Sequence, residues 1–145
     1  MNESEKDKML DAAYATFEIE AESLRATGEV LDRTEFEKAV DMLASAERIA
    51  ASGCGHSGIA CRHFAHLCCC IERPARFLSP SEAVHGGLGY ICPGDVMMLA
   101  SRGGETDELV PIAKICRAKG ASVILVTEKP DSTLGRLSDI ILRIA

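Results

Sequence analysis

The stretch Asp95–Val110, DVMMLASRGGETDELV, decides the fold. An apolar run ends at Ser101, Gly103 and Gly104 follow, and Glu105-Thr106 open an acidic, periodic segment. A short, continuous apolar run bounded by a turn signal reads as a strand buried on both faces. A strand that leaves through glycines into a helical pattern is half of a βαβ crossover.

The same rhythm runs through the chain on both sides. RIAAS (48–52) ends at Gly53, ARFLS (75–79) ends at Pro80, SVILVTE (122–128) stops before Pro130, and DIILRI (139–144) comes last. Helical patterns over 57–70, 105–119 and 132–137 separate most of these runs. Right-handed crossovers then give a parallel sheet covered on both faces. The expected fold is α/β: a doubly wound, flavodoxin-like sheet of five parallel strands in the order 2-1-3-4-5. Ligands of such sheets sit outside the carboxyl ends of the strands, where the winding changes direction. Here that point falls between the first and third strands.

Before residue 47 the pattern is wholly helical. Leu10, Ala13, Tyr14, Phe17, Ala21 and Leu24 recur at helical steps over 5–27, with Gly28 as a stop. A second helix is expected over 34–46, with Phe36, Val40 and Leu43 on one face and Thr34 and Glu37 at capping-box spacing. The expected organisation is an N-terminal helical hairpin over 1–46, packed on the domain or on a partner subunit, and an α/β core over 47–145.

Composition narrows the function. A chain of 145 residues suits a single domain. It is 47% hydrophobic and 26% charged, with no Trp and few other aromatics, so the core is aliphatic. Few aromatics and a net charge of −6 without a basic patch argue against nucleic acid as a partner. No apolar run is long enough to span a membrane. The charged start, MNESEKDKML, does not resemble a signal peptide. Seven cysteines in such a chain read as free thiols, which places the protein in the cytoplasm.

The switch point is flanked by SGCGHSG (52–58) and SRGGET (101–106). Gly55, Gly103 and Gly104 allow tight turns and close approach to a ligand, and Ser57, Ser101 and Thr106 offer hydroxyls. With helix N-termini these make a neutral cradle for one phosphate, which suits an acidic protein. GCGHSG also matches a loose dinucleotide fingerprint. An acidic ribose partner is poorly placed, because Glu72 lies beyond the helix and not at a strand end. No nicotinamide or other cofactor is expected. CRHFAHLCCC (61–70) invites a metal assignment, but its His and Cys all fall on one helix, whereas structural zinc sites draw ligands from two segments. No metal is expected there.

GCGHSG, PSEAVHGGLG, PGDVMMLASRGGETDEL and AKGASVILVTEKPDSTLGRLSDIIL together resemble the sugar isomerase (SIS) domain. The nearest branch is that of the arabinose-5-phosphate isomerases. The resemblance covers about residues 5–145. It implies a phosphosugar site at the strand ends, completed by a neighbouring subunit of a homodimer or homotetramer, and aldose–ketose interconversion through an enediol. It implies roles in catalysis for Glu105, His85 and His56, with phosphate on Ser57, Ser101 and Thr106 beside Gly55, Gly103 and Gly104. The sequence also departs from the pattern. His56 stands where the isomerases carry a lysine. Gly103 replaces the second serine of Ser-x-Ser-Gly-Glu-[Ser/Thr], and Gly87 replaces the aspartate of HGDLG. Ser79 stands where the branch has a metal-associated histidine. A further glutamate and histidine of the family lie in a segment beyond the position of Ala145. These departures leave a second expectation open, a phosphosugar-binding or regulatory domain without turnover.

Overall fold

The computed structural model describes residues 2–145. Its sheet has five parallel strands in the order β2-β1-β3-β4-β5, as the alternation of apolar runs and helices predicts. These are β1 (Ile49–Gly53), β2 (Ala75–Phe77), β3 (Val96–Ala100), β4 (Ser122–Thr127) and β5 (Ile140–Arg143). Between them lie α3 (Gly55–Cys70), α4 (Pro80–Val84), a 3-10 turn (Gly87–Tyr90), α5 (Val110–Ala118) and α6 (Thr133–Arg136). Two helices precede the sheet, α1 (Glu3–Val30) and α2 (Arg33–Ser45).

Period-two alternation sends neighbouring side chains to opposite faces. Met97, Leu99, Val123 and Leu125 join Ile112, Ala113 and Leu134 in one core. Val96 and Ile124 join Ile49, Ala39 and Ala46 in another, with Phe64 and Cys68 against it. Both faces are therefore covered, which is why β3 and β4 read as unbroken apolar runs. At the amino edge the buried Asp95 accepts a hydrogen bond from the Cys92 N–H at 2.8 Å and pairs with Arg48 at 3.0 Å. That pair pins the start of β1 to the start of β3.

The helix boundaries differ from the sequence pattern, each for a local reason. Gly28 does not stop α1, which runs to Val30. A helical glycine costs about 1 kcal/mol but breaks nothing by itself. The cap of α2 is Asp32, whose side chain accepts from the Glu35 N–H, and Thr34 lies inside the helix. A capping box does occur, at Asn2 and Glu5. α5 begins at Val110 and not at 105, because Pro111 sits in its first turn, where a missing N–H is tolerated. Residues 105–109 are loop and turn. The short helix α4 was not legible as such, and Pro80 at its start cuts β2 short.

α2 is held at its end by Arg73, whose guanidinium donates to the carbonyls of Leu43 and Ala46. α1 buries no residue. Leu10, Tyr14, Phe17 and Leu24, the apolar positions read from its periodicity, stand exposed. Its end meets the core domain through the Ala145 N–H, which donates to the Thr27 hydroxyl at 3.2 Å.

Candidate functional site

Two loops leave adjacent strands side by side. Gly53 at the end of β1 is in register with Ala100 at the end of β3, and paired strands lie about 4.8 Å apart. The glycine turns therefore start together at the carboxyl edge, where the winding reverses.

In the first loop, packing settles what the glycines do. A Cβ on Gly53 would come within 2.9 Å of the Ser57 carbonyl carbon, and one on Gly58 would strike the Gly53 carbonyl. These two glycines let α3 sit directly on the end of β1. Gly55 has φ +53° with open space around it, so it serves the turn. The N-cap Cys54 makes no side-chain cap bond, which leaves the first N–H groups of α3 without a capping side chain among the described residues. His56 is exposed and Ser57 half-buried beside them.

The second loop is knitted together. The hydroxyls of Ser101 and Thr106 lie 2.7 Å apart. The Gly104 N–H donates to the Ser101 hydroxyl at 3.1 Å, so it is spent within the loop. Gly104 has φ +67°, and a Cβ there would overlap the Ser132 side chain. Gly103 meets nothing within 4 Å and faces open space. The expectation that Glu105 opens a helix is corrected. It lies in the loop, and its carboxylate accepts from the Thr133 N–H, the start of α6, at 2.7 Å. Hydrogen bonding to Thr133 and the nearby Arg136 guanidinium hold the Glu105 carboxyl below the usual carboxylate range.

Ser101, Gly104 and Thr106 thus form one hydrogen-bonded unit, and Glu105 beside them is bonded to Thr133. Among the described residues no side-chain hydrogen bond ties His56, Ser57 or His85 to it. His85 caps the end of α4 and is exposed.

Three groups escaped the sequence pattern. Ser132 N-caps α6 by accepting from the Gly135 N–H, and with Thr133 it seats the second loop. The signal was present in PDSTLG as a serine before a helical run. The Ser52 hydroxyl is fully buried at the end of β1 and has no hydrogen-bond partner among the described residues. Arg102, inside the second loop, pairs with Glu128 at the end of β4.

The cysteine segment behaves as an ordinary helix. Cys61 is buried, and desolvation pushes its thiol up to about 11. Cys70 lies 3.7 Å from the His66 ring nitrogen. Among the described residues no three His, Cys, Asp or Glu side chains are grouped to hold a metal. No described helix is long and apolar enough to cross a membrane.

The comparisons with known proteins agree with this geometry. A family model described as the SIS domain matches residues 42–145. Arabinose 5-phosphate isomerase KpsF of Escherichia coli is 28% identical over 94% of this chain and 43% of its own length. The chain spans less than half of such curated relatives. A Listeria monocytogenes protein, provisionally assigned as a sugar-phosphate isomerase, is 38% identical in its crystal structure. It superposes with a TM-score of 0.93, covering 100% of this chain and 75% of the other. An E. coli CFT073 protein solved in complex with arabinose 5-phosphate is 29% identical with a TM-score of 0.80, over 99% of this chain and 74% of the other. With the strand order, the paired glycine loops and a matching model over most of its length, the chain belongs to the SIS domain family.

Proposed function

We propose that this chain is the sugar-phosphate-binding unit of an aldose–ketose isomerase acting on arabinose 5-phosphate or a close analogue. The observation that carries the proposal is the Ser101–Thr106 hydroxyl pair, 2.7 Å apart at the switch point. Paired hydroxyls beside uncapped helix N–H groups suit a phosphate dianion. Ser57, Ser101 and Thr106 hold the phosphate, with backbone N–H groups at Gly55 and Gly103. Gly104 shapes the turn.

The chemistry asks for one base. It takes the proton from C2 of the open-chain aldose while the carbonyl oxygen gains a proton, giving an enediol. Returning a proton to C1, with loss of the proton on the C2 oxygen, gives the ketose. Glu105 and His85 are proposed for these transfers and His56 for contact with the carbonyl or ring oxygen. The exposed imidazole of His56 offers a ring N–H donor for that contact. The remaining groups come from a neighbouring subunit, brought in by the exposed face of α1.

One observation favours the second expectation, binding without turnover. A base is most effective when its pKa lies near the working pH. Glu105 is held low and is occupied by Thr133. In a turnover cycle its carboxylate has to exchange that N–H for substrate.

Deuterium exchange at C2 of arabinose 5-phosphate in heavy water, followed by NMR, separates the two. Exchange establishes proton abstraction even where net conversion is slow. No exchange, in a sample shown by calorimetry to bind the sugar phosphate, assigns the chain to binding alone.

A further inference from the structure

We infer that Arg102 is the anion-binding side chain of the second loop, and that Glu128 holds it in an ion pair until an anionic ligand arrives. This deepens the phosphosugar reading and rests on it. Arg102 lies between Ser101, half of the hydroxyl pair, and Gly103, which faces open space. Its backbone is fixed. Its carbonyl accepts from the Thr127 hydroxyl at 3.0 Å and from the Glu128 N–H at 3.1 Å. Only the side chain is free to swing, and that side chain is 82% exposed.

The ion pair joins a solvated guanidinium to a carboxylate that is 22% exposed. The solvated guanidinium end is open to water and to salt, so a phosphate can compete with Glu128 for it. The guanidinium fork matches two phosphate oxygens at once, which a lysine does not. A guanidinium adds to the neutral cradle the one full positive charge that it lacks. Its other contributions are hydroxyls and N–H groups, a histidine stands at position 56, and the chain carries a net charge of −6. Gly103 leaves room for the guanidinium to turn in. The neighbouring Arg136 is committed elsewhere, to the Asp131 carbonyl and the Thr133 hydroxyl.

Two probes test this by titration calorimetry, arabinose 5-phosphate and inorganic phosphate. Arg102→Gln should weaken both by about tenfold and flatten the salt dependence of binding. Arg102→Lys should recover only part of the loss. Glu128→Gln should tighten both by roughly two- to threefold, because the competing carboxylate is gone. Lys129→Gln, a charge removed from the adjoining loop, should leave binding unchanged.

Three results overturn the inference. In the first, Arg102→Gln stays within twofold of the parent while Ser101→Ala and Thr106→Ala weaken binding. That outcome removes Arg102 and keeps the phosphate cradle. In the second, Lys129→Gln weakens binding as much as Arg102→Gln, which reduces the effect to a general field. In the third, neither probe binds the parent chain saturably, or all four of Ser101→Ala, Thr106→Ala, Arg102→Gln and Glu128→Gln bind like the parent. That outcome removes the cradle as well.

Discussion

The Glu105 carboxylate accepts a hydrogen bond at 2.7 Å from the backbone N–H of Thr133, 28 residues away. One side chain thereby fastens the loop after β3 to the start of α6. Gly104 meets Ser132 in the same seam, and the Leu134 N–H donates to the Gly104 carbonyl at 3.0 Å. The hydroxyl pair of Ser101 and Thr106 is rigid because the loop is anchored on both of its flanks.

The anchor sets a pH dependence. Glu105 titrates below its ordinary range when folded. A lowered folded value means the contact stabilises above the unfolded pKa and is lost as pH falls through the folded one. The Thr133 amide resonance should therefore stay constant from neutrality down into the ordinary carboxylate range and shift only below it. Glu105→Gln should abolish that titration. A Thr133 amide that titrates at the ordinary Glu value, or above it, contradicts the anchor.

Gly104→Ala should destabilise the domain by about 2 kcal/mol, or roughly 4–8 °C in Tm, through its left-handed backbone and the overlap with Ser132. Adding Ser132→Gly should recover part of the loss by removing the overlap but not the backbone strain. Thermal melts of the single and double variants check this. An unchanged Tm for Gly104→Ala shows that the seam is not packed as described.

The buried Ser52 hydroxyl, unpartnered at the end of β1, should be dispensable for folding. Leaving a hydroxyl buried and unpaired costs about 1–3 kcal/mol, so Ser52→Ala should be neutral or stabilising in chemical denaturation. A clear loss of stability would reveal a partner for that oxygen.

Thiol labelling gives an independent reading of the α3 face. Cys69, Cys70 and Cys92 are exposed and should react first in the native protein. Cys61 and Cys116 are buried, with thiols pushed up to about 11, and should react only on unfolding. Fast native labelling of Cys61 or Cys116 would mean that α3 or α5 does not pack as found.

The sheet was readable because its cause is local. Apolar runs such as MMLA and VILV cannot face water on either side, so a parallel sheet with helices on both faces follows. The glycine loops were readable for the same reason, since strand ends mark them. What stayed hidden depends on partners distant in sequence. Nothing in RGGET says that Gly104 will press on Ser132, or that Glu105 will be claimed by α6. Proline at position 111 did carry a local signal for the start of α5, but the acidic run before it looked like a first helical turn. The ion pair of Arg102 was equally invisible, because its partner Glu128 lies just past the end of β4, in another loop.

α1 is a 28-residue helix that buries none of its side chains. Over residues 3–20, all exposed, its backbone hydrogen bonds have no tertiary packing to slow their opening, and a helix takes most of its stability from such packing. In deuterated buffer an isolated chain should therefore keep two clocks, a fast one over α1 and a slow one over β1, β3 and β4. If the clocks converge as protein concentration rises, the apolar face of α1 has found its cover in another copy. Clocks that stay apart at every concentration would leave that helix as a solitary arm.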